Sequence, residues 1–286
     1  MLIGVNGVRL FVDMEGVGLV PDGEAMREKP TLILLHGGPG FDHSLFKPAF
    51  SALSDVAQIV YYDHRGNGRS EDGDRSLWTL DQWADDVKGL CDALGIERPI
   101  VLGMSFGGYV AQAYAARYPE HPSKLVLVST TAKVEFPAMF EAFGRLGGPE
   151  ARSVAETYWM APTAERRAEY MRVCLPLYSR TPLSSDAKSR AFIRNETALR
   201  FNGPDNEHGR LDFRRSLNRV ECAVLVMAGD RDPMMPVAFT EALVAALSPE
   251  RTRFELFEGC GHQVFSDEPD RAFAILREFI SGGMAA

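Results

Sequence analysis

The chain has 286 residues, of which 45% are hydrophobic and 24% are charged. This composition predicts a folded globular protein with enough apolar material for one large core. The formal net charge of −8 and the isoelectric point near 5.4 argue against nucleic acid or an anionic membrane as partner, because both bind positive surfaces. The four cysteines form no C-x-x-C pair, so neither a zinc site nor a redox dithiol is indicated.

The first residues, MLIGVNGVRLFVDMEG, lack the basic region and apolar run of a signal peptide. No stretch approaches the roughly 18 apolar residues that cross a bilayer. We therefore expect a cytoplasmic location. The sequence leaves open whether the chain is a monomer or a homo-oligomer.

The predicted elements begin with a β-hairpin, because alternating apolar residues flank Asn6-Gly7, a dipeptide suited to a tight turn. Residues 18–30 contain two prolines and mixed charge without periodicity, which predicts a surface loop. Short apolar runs that are typical of buried parallel strands follow. They are 31–36, 57–63, 99–104, 124–130, 223–229 and 253–259.

Helical patterns lie between most of these runs, which predicts βαβ units and a mainly parallel open sheet with helices on both faces. The interval 132–216 contains helical patterns and no such run. We interpret it as a helical cap inserted into a core domain formed by 1–131 and 217–286. The last segment, 267–280, predicts an amphipathic helix that packs on the sheet.

The sequence GMSFG at 103–107 follows a predicted strand and precedes a predicted helix. This is the context of a nucleophile elbow, in which a serine occupies a strained turn and flanking glycines let strand and helix approach. Ser105 is therefore the candidate nucleophile. Its hydroxyl would lie at a helix N-terminus, where developing negative charge is favoured.

A serine hydroxyl needs a general base to become a good nucleophile. In proteins with a nucleophile elbow, the acid follows the serine along the chain and the histidine follows the acid. Of the six histidines, His262 fits this order, because it comes late in the chain, in the glycine-rich loop after the last predicted strand. Asp232 and Asp230 both follow the strand at 223–229. We favour Asp232 as the acid that orients His262, and interpret Asp230 as a turn or capping residue.

Acyl transfer also needs hydrogen-bond donors for the oxyanion. The loop HGGPG at 36–40 offers backbone N–H groups without side chains in the way. We assign the oxyanion hole to the N–H groups of Gly38 and Phe106, with Gly37 as an alternative. Cys260, two residues from His262, is interpreted as a small packing residue.

Five motifs of the sequence resemble those of one known family. HGGPG at 36–40, YYDHRGNGRSE at 61–71, GMSFGG at 103–108, GDRD at 229–232 and GCGH at 259–262 are similar to the proline iminopeptidase branch of the α/β-hydrolases. In the predicted cap, RNETALRFNGPDNE at 194–207 resembles the segment whose glutamates bind the substrate's free amine in that branch. The resemblance implies the α/β-hydrolase fold, and it implies that Glu207 and Glu196 bind substrate. Pro233, however, stands where some relatives carry a second such glutamate.

The first hypothesis is therefore a serine hydrolase that cleaves a small amide or peptide through an acyl-enzyme, as an aminopeptidase does. It requires no metal or cofactor, and its expected partner is a small-molecule or short-peptide substrate. The alternative keeps the catalytic triad and changes the substrate to a small ester or lactone. Its pocket would then be formed by cap residues such as Phe136, Met139, Phe140, Tyr158 and Trp159. A third hypothesis, from a different class, is a relative of the same fold that binds a hydrophobic ligand without hydrolysing it.

Overall fold

The computed structural model describes residues 1–182 and 189–282. Its centre is an eight-stranded sheet with the strand order β1-β2-β6-β5-β7-β8-β9-β10, and β3 and β4 form a separate two-stranded sheet. The strands are β1 Leu2–Val5, β2 Val8–Glu15, β3 Leu19–Asp22, β4 Ala25–Glu28, β5 Thr31–Leu35, β6 Gln58–Tyr62, β7 Ile100–Met104, β8 Lys124–Val128, β9 Ala223–Gly229 and β10 Thr252–Phe257.

The sheet is parallel from β6 to β10, whereas β2 pairs antiparallel with both β1 and β6. Successive residues of β5 enter opposite cores, because side chains alternate along a strand. Ile33 and Leu35 pack in one apolar cluster, whereas Leu32 and Leu34 pack in the other. Helices cover both faces, so the predicted fold class is confirmed.

Nine α-helices lie in the described residues. They are α1 Leu80–Leu94, α2 Phe106–Arg117, α3 Phe136–Met160, α4 Ala164–Val173, α5 Asn195–Phe201, α6 Glu207–Arg210, α7 Val237–Ala245, α8 Val264–Asp267 and α9 Pro269–Ser281. None of them is both long and apolar enough to cross a membrane. Helix α9 buries Leu276 and Ile280 and keeps Glu278 exposed, as its amphipathic pattern predicts.

The N-terminal hairpin forms around Asn6 and Gly7, whose φ angles are 45° and 81°. The expected loop at 18–30 is wrong, since β3 and β4 form a second hairpin there that turns at Gly23 with a φ of 63°. Every residue of these two strands is exposed or half-buried. It therefore lacks the apolar alternation by which strands are recognised in a sequence.

Helices α3 to α6 lie between β8 and β9, and no described residue of 132–216 belongs to a strand of either sheet. Helix α3 is kinked at Gly148, whose φ is 75°, because Pro149 disfavours helical geometry in the residue before it. Cap and sheet residues share one apolar cluster. The division of the chain at 132 and 216 stays a prediction.

Candidate active site

Ser105 lies in the sharp turn between β7 and α2, with φ 56° and ψ −119°. A positive φ is uncommon for a residue with a side chain and marks a strained position. The surrounding backbone holds it: the Ser105 N–H donates to the Val128 carbonyl at 2.9 Å, and the Ser105 carbonyl accepts from Thr130 Oγ1 at 3.0 Å. The turn therefore presents Ser105 at the N-terminus of α2, as the elbow interpretation expects.

Two glycines make this turn possible. A Cβ atom on Gly107 would lie 2.0 Å from the Leu35 carbonyl oxygen, and one on Gly103 would lie 2.3 Å from the Gly107 carbonyl oxygen. Both distances are far inside van der Waals contact with backbone atoms that cannot easily move. The first residues of α2 can approach β5 and β7 only because these side chains are missing.

His262 and Asp232 form a buried hydrogen-bonded pair. The ring Nδ1 of His262 donates to Asp232 Oδ2 at 2.7 Å, and both side chains are almost fully buried. The other carboxylate oxygen, Oδ1, accepts from the N–H groups of Met234 and Met235 at 2.8 and 2.9 Å. These bonds fix the carboxylate, and through it the ring, whose Nε2 is left to act as an acceptor.

Asp230 has a different position. Its Oδ1 accepts from the Gly259 N–H at 2.7 Å and so joins the turn after β10 to the end of β9. The structure therefore brings Asp232, and not Asp230, to His262.

The segment between β8 and β9 contacts the loop that carries His262. The His262 N–H donates to the Tyr178 carbonyl at 2.6 Å, and the two rings meet edge to face with centroids 5.0 Å apart. A Cβ atom on Gly261 would lie 2.3 Å from the same carbonyl oxygen. The orientation of His262 consequently depends on the segment Leu175–Tyr178 as well as on Asp232.

Ser105 and His262 line the same cavity, which has a volume of about 110 Å³. Most of its wall is apolar or aromatic, and none of the described residues that line it is an aspartate or a glutamate. The lining residues are Gly37, Gly38, Phe41, Leu45, Met104, Ser105, Tyr158, Trp159, Arg167, Tyr170, Met171, Leu175, Tyr178, Asn202, Met234, His262, Gln263 and Ser266.

The candidate oxyanion donors border Ser105. Gly37 is so close that a Cβ atom on it would lie 3.4 Å from the Ser105 Cβ, and Gly38 adopts a φ of 132°. Within the described part of the chain, the N–H groups of Gly38 and Phe106 donate to no protein acceptor. Both are thus free to bind an oxygen of a substrate.

His36 stabilises the HGGPG loop and is not part of the hydrogen-bonded pair of His262 and Asp232. Its ring Nδ1 donates to the Gly37 carbonyl at 2.8 Å, and its Nε2 accepts from the His64 N–H at 3.2 Å. Burial lowers the pKa of His36. The ring is neutral and fastens the start of the HGGPG loop to the loop after β6.

The loop after β6 forms a hydrogen-bonded platform. Asp63 accepts from the N–H and ring Nδ1 of His43, at 2.8 and 2.7 Å, and from the Arg69 N–H at 2.7 Å. Asp42, His43 and Asp63 offer possible metal-ligand atoms within 4.8 Å of one another. Since these carboxylates already bind His43 and Arg69, the cluster is satisfied by protein partners.

Cys260 is fully buried, and burial raises the pKa of its thiol to about 11. A thiol with this pKa stays protonated at neutral pH and is a poor nucleophile.

The structure does not bring Glu196 or Glu207 to Ser105. Glu196 is exposed and pairs with Arg75 at 2.6 Å. Glu207 is half-buried, and its carboxylate accepts from the Leu80 N–H at 2.7 Å, at the start of α1. Burial raises the pKa of Glu207. Both glutamates have other partners, and neither is among the described residues that line the cavity.

Of the cap residues expected in an apolar pocket, Tyr158 and Trp159 line the cavity. Phe136, Met139 and Phe140 are absent from the described lining and pack in the apolar cluster instead.

Sequence reasoning missed Arg167. It lies on α4, is 5% exposed and lines the cavity with Ser105. Helix α4 has a mainly polar sequence, AERRAEYMRV, in which one arginine resembles the solvated others. No signal in the sequence separates it from them.

Comparison with known proteins agrees with this architecture. The family model described as alpha/beta hydrolase fold matches residues 30–269. A proline iminopeptidase of Lactobacillus helveticus is 29% identical over 277 residues, covering 88% of this chain and 90% of the relative.

Two solved structures show the same fold. The proline iminopeptidase of Mycobacterium smegmatis has a TM-score of 0.76 at 22% identity and covers 98% of this chain and 97% of its own. The enol-lactonase of Burkholderia xenovorans LB400 has a TM-score of 0.69 at 23% identity, and the match covers 99% of this chain and 100% of the enol-lactonase chain. The chain is thus a hydrolase that resembles proline iminopeptidases, and it belongs to the α/β-hydrolase fold family.

Proposed function

We propose that this hydrolase cleaves its substrate through an acyl-enzyme, with Ser105 as nucleophile, His262 as general base and Asp232 as the residue that orients His262. One observation carries the proposal: Ser105, strained at the elbow, shares a cavity with His262, whose Nδ1 is bound to Asp232 at 2.7 Å. Nucleophile, base and orienting acid are the parts that acyl transfer by a serine requires.

In the first half of the reaction, Ser105 Oγ attacks the substrate carbonyl carbon while His262 Nε2 takes the hydroxyl proton. Negative charge moves to the carbonyl oxygen, where the free N–H groups of Gly38 and Phe106 stabilise it. When the tetrahedral intermediate collapses, His262 returns the proton to the leaving alcohol or amine. The acyl group remains on Ser105.

In the second half, His262 takes a proton from a water molecule, which attacks the acyl-enzyme carbonyl. The same donors bind the second oxyanion, and the proton passes from His262 to Ser105 Oγ as the acid leaves. The Asp232 carboxylate stabilises the imidazolium that forms twice per turnover.

The cavity favours an ester or lactone without a free ammonium group. A cationic amine needs a carboxylate or several acceptors once it leaves water. The described lining contains no carboxylate and does contain the cationic side chain of Arg167. We therefore propose small carboxylic esters or lactones as substrates, the alternative that the sequence left open.

Aminopeptidase activity is the second candidate, because the proline iminopeptidase of Lactobacillus helveticus resembles this chain over most of both lengths. The cavity would then have to bind a free α-amine. The positions of Glu196 and Glu207, paired with Arg75 and with the Leu80 N–H, do not favour this candidate.

A matched substrate panel separates the two candidates. We expect short-chain 4-nitrophenyl esters to be hydrolysed in preference to prolyl and N-blocked prolyl 4-nitroanilides. A preference for the free-amine anilide, lost when the amine is blocked, would contradict the ester proposal and support the aminopeptidase.

The mechanism is tested with two serine variants. Ser105→Ala should lower kcat by about 10³-fold or more. Ser266 lies in the wall of the same cavity, so Ser266→Ala is the matched control and should retain activity. Equal rates in Ser105→Ala and the wild type would refute the serine mechanism.

A further inference from the structure

Arg167 is a buried cation in the wall of the cavity that contains Ser105 and His262. Its Nε donates to Asn195 Oδ1 at 2.8 Å, and its guanidinium carbon lies 5.9 Å from the centre of the Phe41 ring. Both contacts are to uncharged groups.

The rest of the guanidinium lacks an anionic partner. Nη2 is buried and has no hydrogen-bond partner, and no aspartate or glutamate in residues 1–182 and 189–282 forms an ion pair with Arg167. Arginine keeps its charge at every pH at which proteins are folded. A buried charge of this kind is costly unless it meets an opposite charge.

A buried polar atom without a partner in a folded protein calls for an explanation, such as a catalytic role or a bound water or ion. Arg167 lines the same cavity as the candidate nucleophile, which suggests that its partner is part of the substrate. A carboxylate suits it best, because a planar guanidinium and a carboxylate form two parallel, charge-assisted hydrogen bonds.

We propose that Arg167 binds a carboxylate of the substrate, so that the enzyme prefers small esters that carry one negative charge. The inference rests on the proposed ester hydrolysis and deepens it. Asn195 is the positioning residue, since its bond to Nε leaves the two Nη groups for the carboxylate. The apolar and aromatic wall around Arg167 accommodates the uncharged part of the same substrate.

The test compares esters that differ by one carboxylate. In the first pair, mono-4-nitrophenyl adipate carries the charge in its acyl portion and 4-nitrophenyl hexanoate does not. In the second pair, 4-acetoxybenzoate carries the charge in its leaving group and phenyl acetate does not. We expect the wild type to prefer the charged ester of at least one pair in kcat/KM.

Arg167→Gln should lower kcat/KM for the preferred charged ester by about 30-fold or more, mainly through KM, and change the neutral ester little. Arg167→Lys should restore part of the loss, since lysine keeps the charge without the planar fork. Arg166→Gln is the matched control, because Arg166 is exposed and donates to the Ala161 carbonyl.

Two results would overturn the proposal: a wild type with no preference for a charged ester in either pair, or an Arg167→Gln variant that loses charged and neutral esters equally. The second result would mean that Arg167 has a structural role, in which its hydrogen bond to Asn195 joins α4 to α5.

A binding measurement keeps this inference separate from the mechanism. Monomethyl adipate is titrated calorimetrically into Ser105→Ala and into the Ser105→Ala, Arg167→Gln double variant. Binding that disappears in the double variant supports the carboxylate site even if Ser105→Ala still hydrolyses esters and the serine mechanism fails. No difference between the two proteins refutes the carboxylate site.

Discussion

His208 gives a pH dependence of stability whose size follows from its surroundings. Its ring is 2% exposed and lies among Tyr109, Phe136, Trp159 and Phe201, with centroids between 4.9 and 5.7 Å away. Nδ1 has no hydrogen-bond partner in the described structure. Burial therefore lowers the pKa of His208 from 6.5 to about 3.

As the pH falls, His208 takes up a proton near pH 6.5 in the unfolded chain but only near pH 3 in the folded protein. The stability that the neutral ring contributes is therefore complete above pH 6.5 and is lost as the pH falls toward 3. Each pH unit in this window costs about 1.4 kcal/mol of unfolding free energy. Acidification to pH 5 spans about 1.5 units, which gives a loss of about 2 kcal/mol from this residue.

The assay is urea unfolding of the wild type and of His208→Phe at pH 7.5 and pH 5, each protein compared with itself. Phenylalanine keeps an aromatic ring in the cluster and cannot take up a proton. Between pH 7.5 and pH 5, the free energy of unfolding should fall by about 2 kcal/mol more in the wild type than in the variant. If both proteins lose the same free energy, His208 is not a buried neutral ring and the reasoning is wrong.

Two further predictions concern the site. Asp232→Asn should lower kcat by up to about 10⁴-fold, because the amide no longer holds His262 in its active tautomer, whereas Asp230→Asn should retain most activity in the same ester assay. Gly107→Ala should cost at least about 1–3 kcal/mol in urea unfolding, because its Cβ would meet the Leu35 carbonyl, whereas Gly4→Ala, with nothing within 4 Å, should cost little. Similar values within either pair would contradict the geometry.

The sequence predicts the sheet well, because buried parallel strands are continuous apolar runs that solvent-facing segments seldom imitate. Every predicted strand run from 31–36 to 253–259 overlaps an observed strand, with bounds that differ by at most two residues. The hairpin of β3 and β4 could not be predicted in this way, since its pairing is exposed and its stability comes from backbone hydrogen bonds and a turn at Gly23.

The residues of the candidate site likewise differ in whether the sequence predicts their positions. Ser105, Asp232 and His262 each follow a strand of the parallel sheet, so strand order alone predicts that they meet at one edge. The positions of Glu207 and Arg167 depend instead on contacts with residues that are distant in the sequence, Leu80 and Asn195. The Leu80 N–H that Glu207 binds is 127 residues away, and no local pattern distinguishes Arg167 from the exposed Arg166 beside it.

The central claim, that Ser105 is the nucleophile, is tested most directly by covalent labelling. The wild type, Ser105→Ala and Ser266→Ala are treated with a small fluorophosphonate, and the labelled peptides are identified by mass spectrometry. We expect one phosphonyl group on Ser105 in the wild type and in Ser266→Ala, and none in Ser105→Ala. Label on another residue, or equal labelling of Ser105→Ala, would contradict the account.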